Sequence, residues 1–150
     1  MIITERKIDK HLLQDEDNVR QLVVTQQEYC ALIKSSEEVR YKYTLKRIVD
    51  TETIWILSTK KDNIISLQDG GTAYIPIWSS KEYGQSFSSS IGKKCICTSV
   101  SLYDFLDHLK EDEHNMEFMI GVFPTKNDPI GKMVRIDRFI KNVDEEQEWY

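Results

Sequence analysis

Residues 40–83 read RYKYTLKRIVDTETIWILSTKKDNIISLQDGGTAYIPIWSSKEY. The first ten residues place Tyr41, Leu45 and Ile48 at i, i+4 and i+7, the apolar face of an amphipathic helix. Arg40, Tyr43 and Arg47 form a neighbouring stripe, fit to line a groove or to stand as a wet flank. After the short connection at 50–52, the run 53–58 is β-branched and aromatic and predicts a strand. Residues 60–63 predict a turn and 64–68 a second strand. Asp69-Gly70-Gly71 between β-rich runs predicts a hairpin into a third strand over 72–78. Pro76 has no N–H for a ladder, so it belongs on an edge or at a strand end.

Upstream, Thr25-Gln26-Gln27-Glu28 has the form of a capping box, and Ser35 with Glu38 offers a second, so a break between two helices falls near 34–36. Tyr29, Leu32 and Ile33 supply the first helix's apolar side. Downstream, Ser79 or Ser80 is placed to cap a helix reaching about residue 90, with Tyr83 and Phe87 on one face. A strand over 95–99 and a helix over 101–113 follow; Leu102, Phe105, Leu106 and Leu109 give that helix its apolar face. The near-continuous apolar run 118–123 predicts a central strand. Asn127-Asp128-Pro129 predicts a turn and 130–136 another strand. Asp137 is placed to cap a last helix packed through Phe139, Ile140 and Val143, with 144–148 as a solvated acidic tail. Residues 1–24, with the polar cluster 14–18, are expected to form an accessory arm outside a domain spanning 25–150. The expected class is α+β: one domain, a mixed, mainly antiparallel sheet of five to six strands, and helices packed mainly on one face.

The chain has 150 residues, 40% of them hydrophobic and 30% charged, with a net charge of −5. That size suits one ordinary domain that needs no metal or disulfide staple. The acidic balance speaks against nucleic acid, which asks for a basic stripe, and against an anionic membrane surface. The longest apolar runs fall well short of the ~20 residues of a membrane span. MIITERKIDKH lacks the apolar core of a secretory signal. Three cysteines, an odd number, read as free thiols in a reducing cytoplasm.

Several blocks together resemble a family. Arg40-Tyr41-Lys42-Tyr43 with Leu45-Lys46-Arg47-Ile48-Val49-Asp50, Ile54-Trp55-Ile56-Leu57, Ile75-Pro76-Ile77-Trp78, Glu82-Tyr83, Leu102 with Phe105-Leu106, and Val122-Phe123-Pro124-Thr125 occur in the order of the bacterial DUF2750 family, of unknown function. The resemblance covers about residues 27–145. The chain departs from the family pattern at Ser79, where a second proline is common, at Gly84, where alanine is common, and at Asn63, where a turn glycine is expected. The family carries no established activity, so the resemblance assigns none. The hairpin, P-x-W and helix segment is also similar to small bacterial sensitivity and immunity-type domains, which is an analogy of fold.

Candidate chemistry is sparse. Cys95 and Cys97 alternate on a strand and share a face; they are expected to be buried thiols, with a nucleophilic or redox role as the alternative. His11, His108 and His114 have no spacing that makes a metal site with them. No phosphate loop, metalloprotease helix, nucleophile elbow or spaced carboxylate dyad occurs. Trp55, Trp78 and Tyr83 stand either as an aromatic core or as a partly open pocket bordered by Arg47 and Asp50. The candidate binding residues are therefore Arg40, Tyr43, Arg47, Asp50, Trp55, Trp78 and Tyr83, because Trp, Tyr and Arg dominate interface hot spots. No catalytic residue, metal or cofactor is expected. The leading expectation is a non-enzymatic cytoplasmic module that binds another protein, the immunity (toxin-neutralising) type being the named example. Alternatives are a regulatory domain holding a small molecule in the aromatic pocket, and a cysteine-dependent enzyme.

Overall fold

A computed structural model describes residues 2–7, 23–59, 63–91, 95–112 and 118–149. Strand β1 (Ile2–Lys7) is followed by helices α1 (Gln26–Ile33) and α2 (Glu37–Thr51). Strands β2 (Thr53–Ser58), β3 (Asn63–Asp69) and β4 (Thr72–Ile77) lead to α3 (Lys81–Ser90) and β5 (Ile96–Ser101). The chain continues through α4 (Leu102–Asp112), β6 (Phe118–Val122), β7 (Lys132–Val134) and α5 (Ile136–Gln147). The α+β class holds, with a mostly antiparallel sheet. Among the described residues the sheet runs β5-β2-β3-β4-β6-β7, with β1 paired to β3. Residues 8–22 of the expected arm and most of the 60–63 turn lie outside the described residues, as do His11 and His114.

The sheet forks, and the fork explains the tryptophans. The β3–β4 hairpin turns at Gly70 and Gly71, both at positive φ (55 and 88), as a two-residue hairpin turn of this hand requires. Its ladder runs from Asp69↔Thr72 only as far as Leu67↔Tyr74. It ends before Pro76, which has no N–H to give. Beyond that point β3 and β4 part, and β2 reaches both: Ser58 pairs with Ile64, and Trp55 bridges Trp78. The two tryptophan backbones exchange hydrogen bonds of 2.9 Å in each direction. One wing continues through β2 to β5, the other through β4 to β6 and β7. Two indole rings fill the space where the wings diverge, Trp55 being 1% exposed and Trp78 0%.

Every residue of β2 is buried, so both of its faces are covered. Trp55 and Leu57 lie opposite Ser99 and Cys97 on β5, and directly opposed residues share a face. On that face α3 brings Gly84 against Cys97 and Trp78. Helices α2 and α4 both pack on α5 and make the larger helical layer.

The helix starts follow capping chemistry with local shifts. The Thr25 hydroxyl accepts from Glu28 N at 3.1 Å, as the capping box predicts. The next cap falls one residue later than expected. Ser36 accepts from Val39 N at 3.2 Å, while the Ser35 hydroxyl donates to the Leu32 carbonyl at 2.7 Å where α1 stops. Ser80 occupies the cap position of α3 without a side-chain bond, and the Ser79 hydroxyl is buried with no partner. Helix α5 starts after Arg135, which leaves Asp137 in its first turn rather than at the cap. The segment expected as an acidic tail instead forms the last turns of α5. Strand β6 is interior but off centre, parallel to β4 on one side and antiparallel to β7 on the other.

Gly84 is a departure from the family pattern with a physical cause. A Cβ there meets Cys97 Sγ at 2.5 Å and Trp78 at 3.0 Å, closer than packed atoms tolerate. Gly84→Ala is expected to destabilise by about 1–3 kcal/mol, the usual penalty of overpacking. Adding Cys97→Ala removes the nearest atom, so the double variant should regain part of that loss in urea unfolding. Strict additivity of the two changes would contradict the contact.

Candidate functional site

The seven residues singled out in the sequence do not line one pocket. Six of them divide among three jobs. Trp55 and Trp78 seal the fork, so neither offers a ring face to a ligand. This corrects the partly open pocket in favour of the aromatic core. The physical reason is that β2 enters the gap between β3 and β4, a long-range event that strand periodicity does not encode.

Arg40 is 3% exposed and holds the β6–β7 loop. Its Nε donates to the Phe123 carbonyl at 3.2 Å, Nη1 donates to the Ser35 carbonyl, and Nη2 pairs with the Asp128 carboxylate. Phe123 needs such support. It has a positive φ of 54, a conformation that penalises a bulky side chain, and its ring is fully buried. The indole Nε1 of Trp78 donates to the Pro124 carbonyl at 3.0 Å, and Tyr74 donates to the Pro129 carbonyl at 2.8 Å. Thr125 and Asp128 close the turn between them, with backbone bonds of 2.9 and 3.1 Å. The family-like blocks therefore converge on one rigid loop: Arg40, Trp78 and Val122-Phe123-Pro124-Thr125 are parts of a single lock.

Tyr43, Tyr83 and Arg47 form the third group, together with Glu28 and Tyr29 from α1. Tyr83 stacks on Tyr29 with ring centroids 5.6 Å apart, meets Phe123 at 4.5 Å, and lies edge-on to Tyr43 at 6.2 Å. Tyr43 donates its hydroxyl to Glu28. The Tyr83 hydroxyl lies 3.2 Å from that of Tyr43 and so donates to it, giving a chain Tyr83→Tyr43→Glu28. Arg47 covers the Tyr43 ring at 5.4 Å and approaches Glu28 at 3.7 Å. Its carboxylate partner is thus Glu28 of another helix. Asp50 is half-buried one turn further along α2. The stripe of Arg40, Tyr43 and Arg47 docks α1 and the 123–128 loop onto α2.

The buried phenols stay protonated. Burial, then the hydrogen bond to Tyr43, raises Tyr83. Burial, then the bond to Glu28, raises Tyr43. Burial pushes Tyr41 and Tyr74 up to about 12. These groups are donors at neutral pH and not bases. A phenol whose pKa rises on folding stabilises the fold fully below its unfolded value of about 10. That contribution fades as pH climbs from there, because the unfolded chain releases the proton first. Alkaline titration at the phenolate band is therefore expected to show a late group of tyrosines ionising together with unfolding between about pH 10 and 12. Seven tyrosines titrating together near their ordinary value, with the fold intact, would contradict these burials.

A groove lies elsewhere. It measures about 760 Å³ and runs between α2, α5 and β7. Tyr41, Leu45, Met119, Met133 and Val134 supply its apolar part, and Glu38, Lys42, Lys132, Arg138 and Glu145 are among its charged walls. Tyr41 donates to Asn142 Oδ1 at 2.6 Å, which ties α2 to α5. Lys132 pairs with Glu38 at 3.3 Å, and Arg135 with Asp137 at 3.3 Å. Trp149 stands on the rim and is 85% exposed. A smaller hollow of about 350 Å³ shares Met119 and Arg135 with it. The groove is built from segments near 38–45, 119 and 132–149, too far apart in sequence to be read together. The one visible signal was Trp149, an indole set among carboxylates.

Chemistry is sparse in this arrangement. No group of three or more potential metal ligands occurs among the described residues. Cys97 is sealed beneath α3 and Cys95 is half-buried. No helix among the described residues is long and apolar enough to cross a membrane.

No curated protein matches this chain, and no solved structure does. A family described as "Protein of unknown function (DUF2750)" matches residues 41–143. That segment contains Trp55, Trp78, the 122–125 block and most of the groove, and the chain belongs to the DUF2750 family.

Proposed function

We propose that this protein is a non-enzymatic protein-binding module whose contact surface is the groove between α2, α5 and β7. The observation that carries this reading is an 85%-exposed tryptophan on the rim of a groove with a methionine-bearing floor. Trp is enriched in interface hot spots, and methionine floors adapt to the shape of a partner. Free thiols support action in a reducing cytoplasm. The toxin-neutralising type remains the named example, since a chain of net charge −5 attracts a basic partner at long range.

The test is capture from the native host with the immobilised protein, beside Met133→Glu, which places a carboxylate on the groove floor. A protein retained in stoichiometric amount by the wild type and lost from the variant is the expected result. Equal retention by both moves the contact off the groove. The small-molecule reading now rests on the groove volume, which falls within the roughly 300–1,000 Å³ of ligand sites. Saturable quenching of Trp149 by a metabolite would favour it. The cysteine-enzyme reading predicts Cys95 or Cys97 alkylated selectively at neutral pH, whereas equal sluggishness of all three thiols removes it.

A further inference from the structure

We infer that the groove is occupied at rest by a second copy of this chain, joined as a two-fold dimer along β7 and α5, which the proposed partner would displace. This rests on the reading of the groove as a protein-contact surface. The first support is the strand edge. Lys132, Met133, Val134 and Arg135 are consecutive, and all four line the groove. Successive strand residues point to opposite faces, so a hollow touched by all of them runs along the outer edge of the strand. Among the described residues β7 is last in the sheet order, with β6 on its inner side. An open strand edge is a template for another strand, and two identical edges related by a two-fold meet antiparallel.

The second support is charge. The lining contains four cations (Lys42, Lys132, Arg135, Arg138) and four carboxylates (Glu38, Asp137, Glu145, Glu146). A chain of net charge −5 repels its own copy over an average face, but this face is neutral. It is also polarised. Arg138 lies in the first turn of α5, and Glu145 and Glu146 lie near its other end, about 10 Å away at 1.5 Å per residue. A two-fold axis across α5 sets each Arg138 end against the partner's carboxylate end. The same axis lets each exposed Trp149 cover the apolar floor of the opposite groove.

Sedimentation equilibrium of the full chain tests this. The wild type is expected to associate to a dimer. Trp149→Ala, which alters only an exposed side chain, should weaken the dimer at least tenfold. Arg138→Glu should weaken it likewise, by setting like charges together, and the triple variant R138E/E145R/E146R should restore it. A monomeric wild type overturns the inference, as does a dimer indifferent to both single changes. If the wild type is monomeric but still captures a host protein that Met133→Glu does not, the groove reading stands and only the self-association falls. A monomer with no such capture removes both.

Discussion

Trp78→Ala is expected to be the most damaging single change in the chain. Truncating a fully buried tryptophan leaves a cavity and typically destabilises by about 3–5 kcal/mol. Here the indole also donates to the Pro124 carbonyl. Losing that donor leaves a buried carbonyl unpaired, at a further ~1–3 kcal/mol. The sum approaches the roughly 5–15 kcal/mol total of a typical domain. The variant should therefore be largely unfolded or melt tens of degrees lower. Trp78→Phe keeps one six-membered ring but loses the five-membered ring that carries the N–H, so it should fall between the wild type and Trp78→Ala. Thermal unfolding followed by far-ultraviolet circular dichroism ranks the three. A Trp78→Ala protein as stable as the wild type would place this ring outside the core and restore the aromatic pocket.

Arg40→Ala is expected to follow. Its guanidinium is the common donor to Phe123, Ser35 and Asp128, and two of those acceptors are backbone carbonyls. Removing one partner of a buried pair typically destabilises by about 3–5 kcal/mol. The lower part of that range applies, because Asp128 is 37% exposed and water compensates it. Arg40→Lys should rescue little, since an ammonium lacks the planar fork that reaches three acceptors at once. Asp128→Asn keeps an acceptor for Nη2 but leaves the buried guanidinium without its carboxylate, so it should cost about 1–3 kcal/mol. Denaturant midpoints in the order wild type, Asp128→Asn, Arg40→Lys, Arg40→Ala express this account. Equal midpoints for Asp128→Asn and Arg40→Ala would show the ion pair, and not the Phe123 carbonyl, to be what Arg40 serves.

The two predictions turn on residues whose importance was legible and whose role was not. Arg40, Tyr43 and Arg47 showed as a stripe at helical spacing, and Trp55 and Trp78 as bulky residues in strands. Local patterning says which face of α2 they share, but not what covers that face. The cover comes from Glu28 and Tyr29 on α1 and from Phe123 and Asp128 beyond β6, 80 and more residues away. The hairpin at Gly70 and Gly71 was readable because a two-residue turn with positive φ needs those residues. The Thr25 cap was readable for the same kind of local reason. The Ser35/Ser36 shift shows the limit: neighbouring serines offer equal hydroxyls, and the end of α1, where the Leu32 carbonyl takes the Ser35 hydroxyl, decides between them. The last turns of α5 were missed because a run of carboxylates reads as solvated. In the fold, Phe139, Ile140 and Val143 anchor the helix, and Glu145 and Glu146 ride on it as a wall of the groove.

Acrylamide quenching of tryptophan emission, wild type against Trp149→Phe, tests the central assignment most directly, because the three tryptophans divide between interior and rim. The wild type is expected to show one readily quenched, red-shifted component beside a protected, blue-shifted one, and Trp149→Phe to retain only the protected one. Strong quenching that persists in Trp149→Phe would put Trp55 or Trp78 in water and contradict both the sealed fork and the choice of the groove as the contact surface.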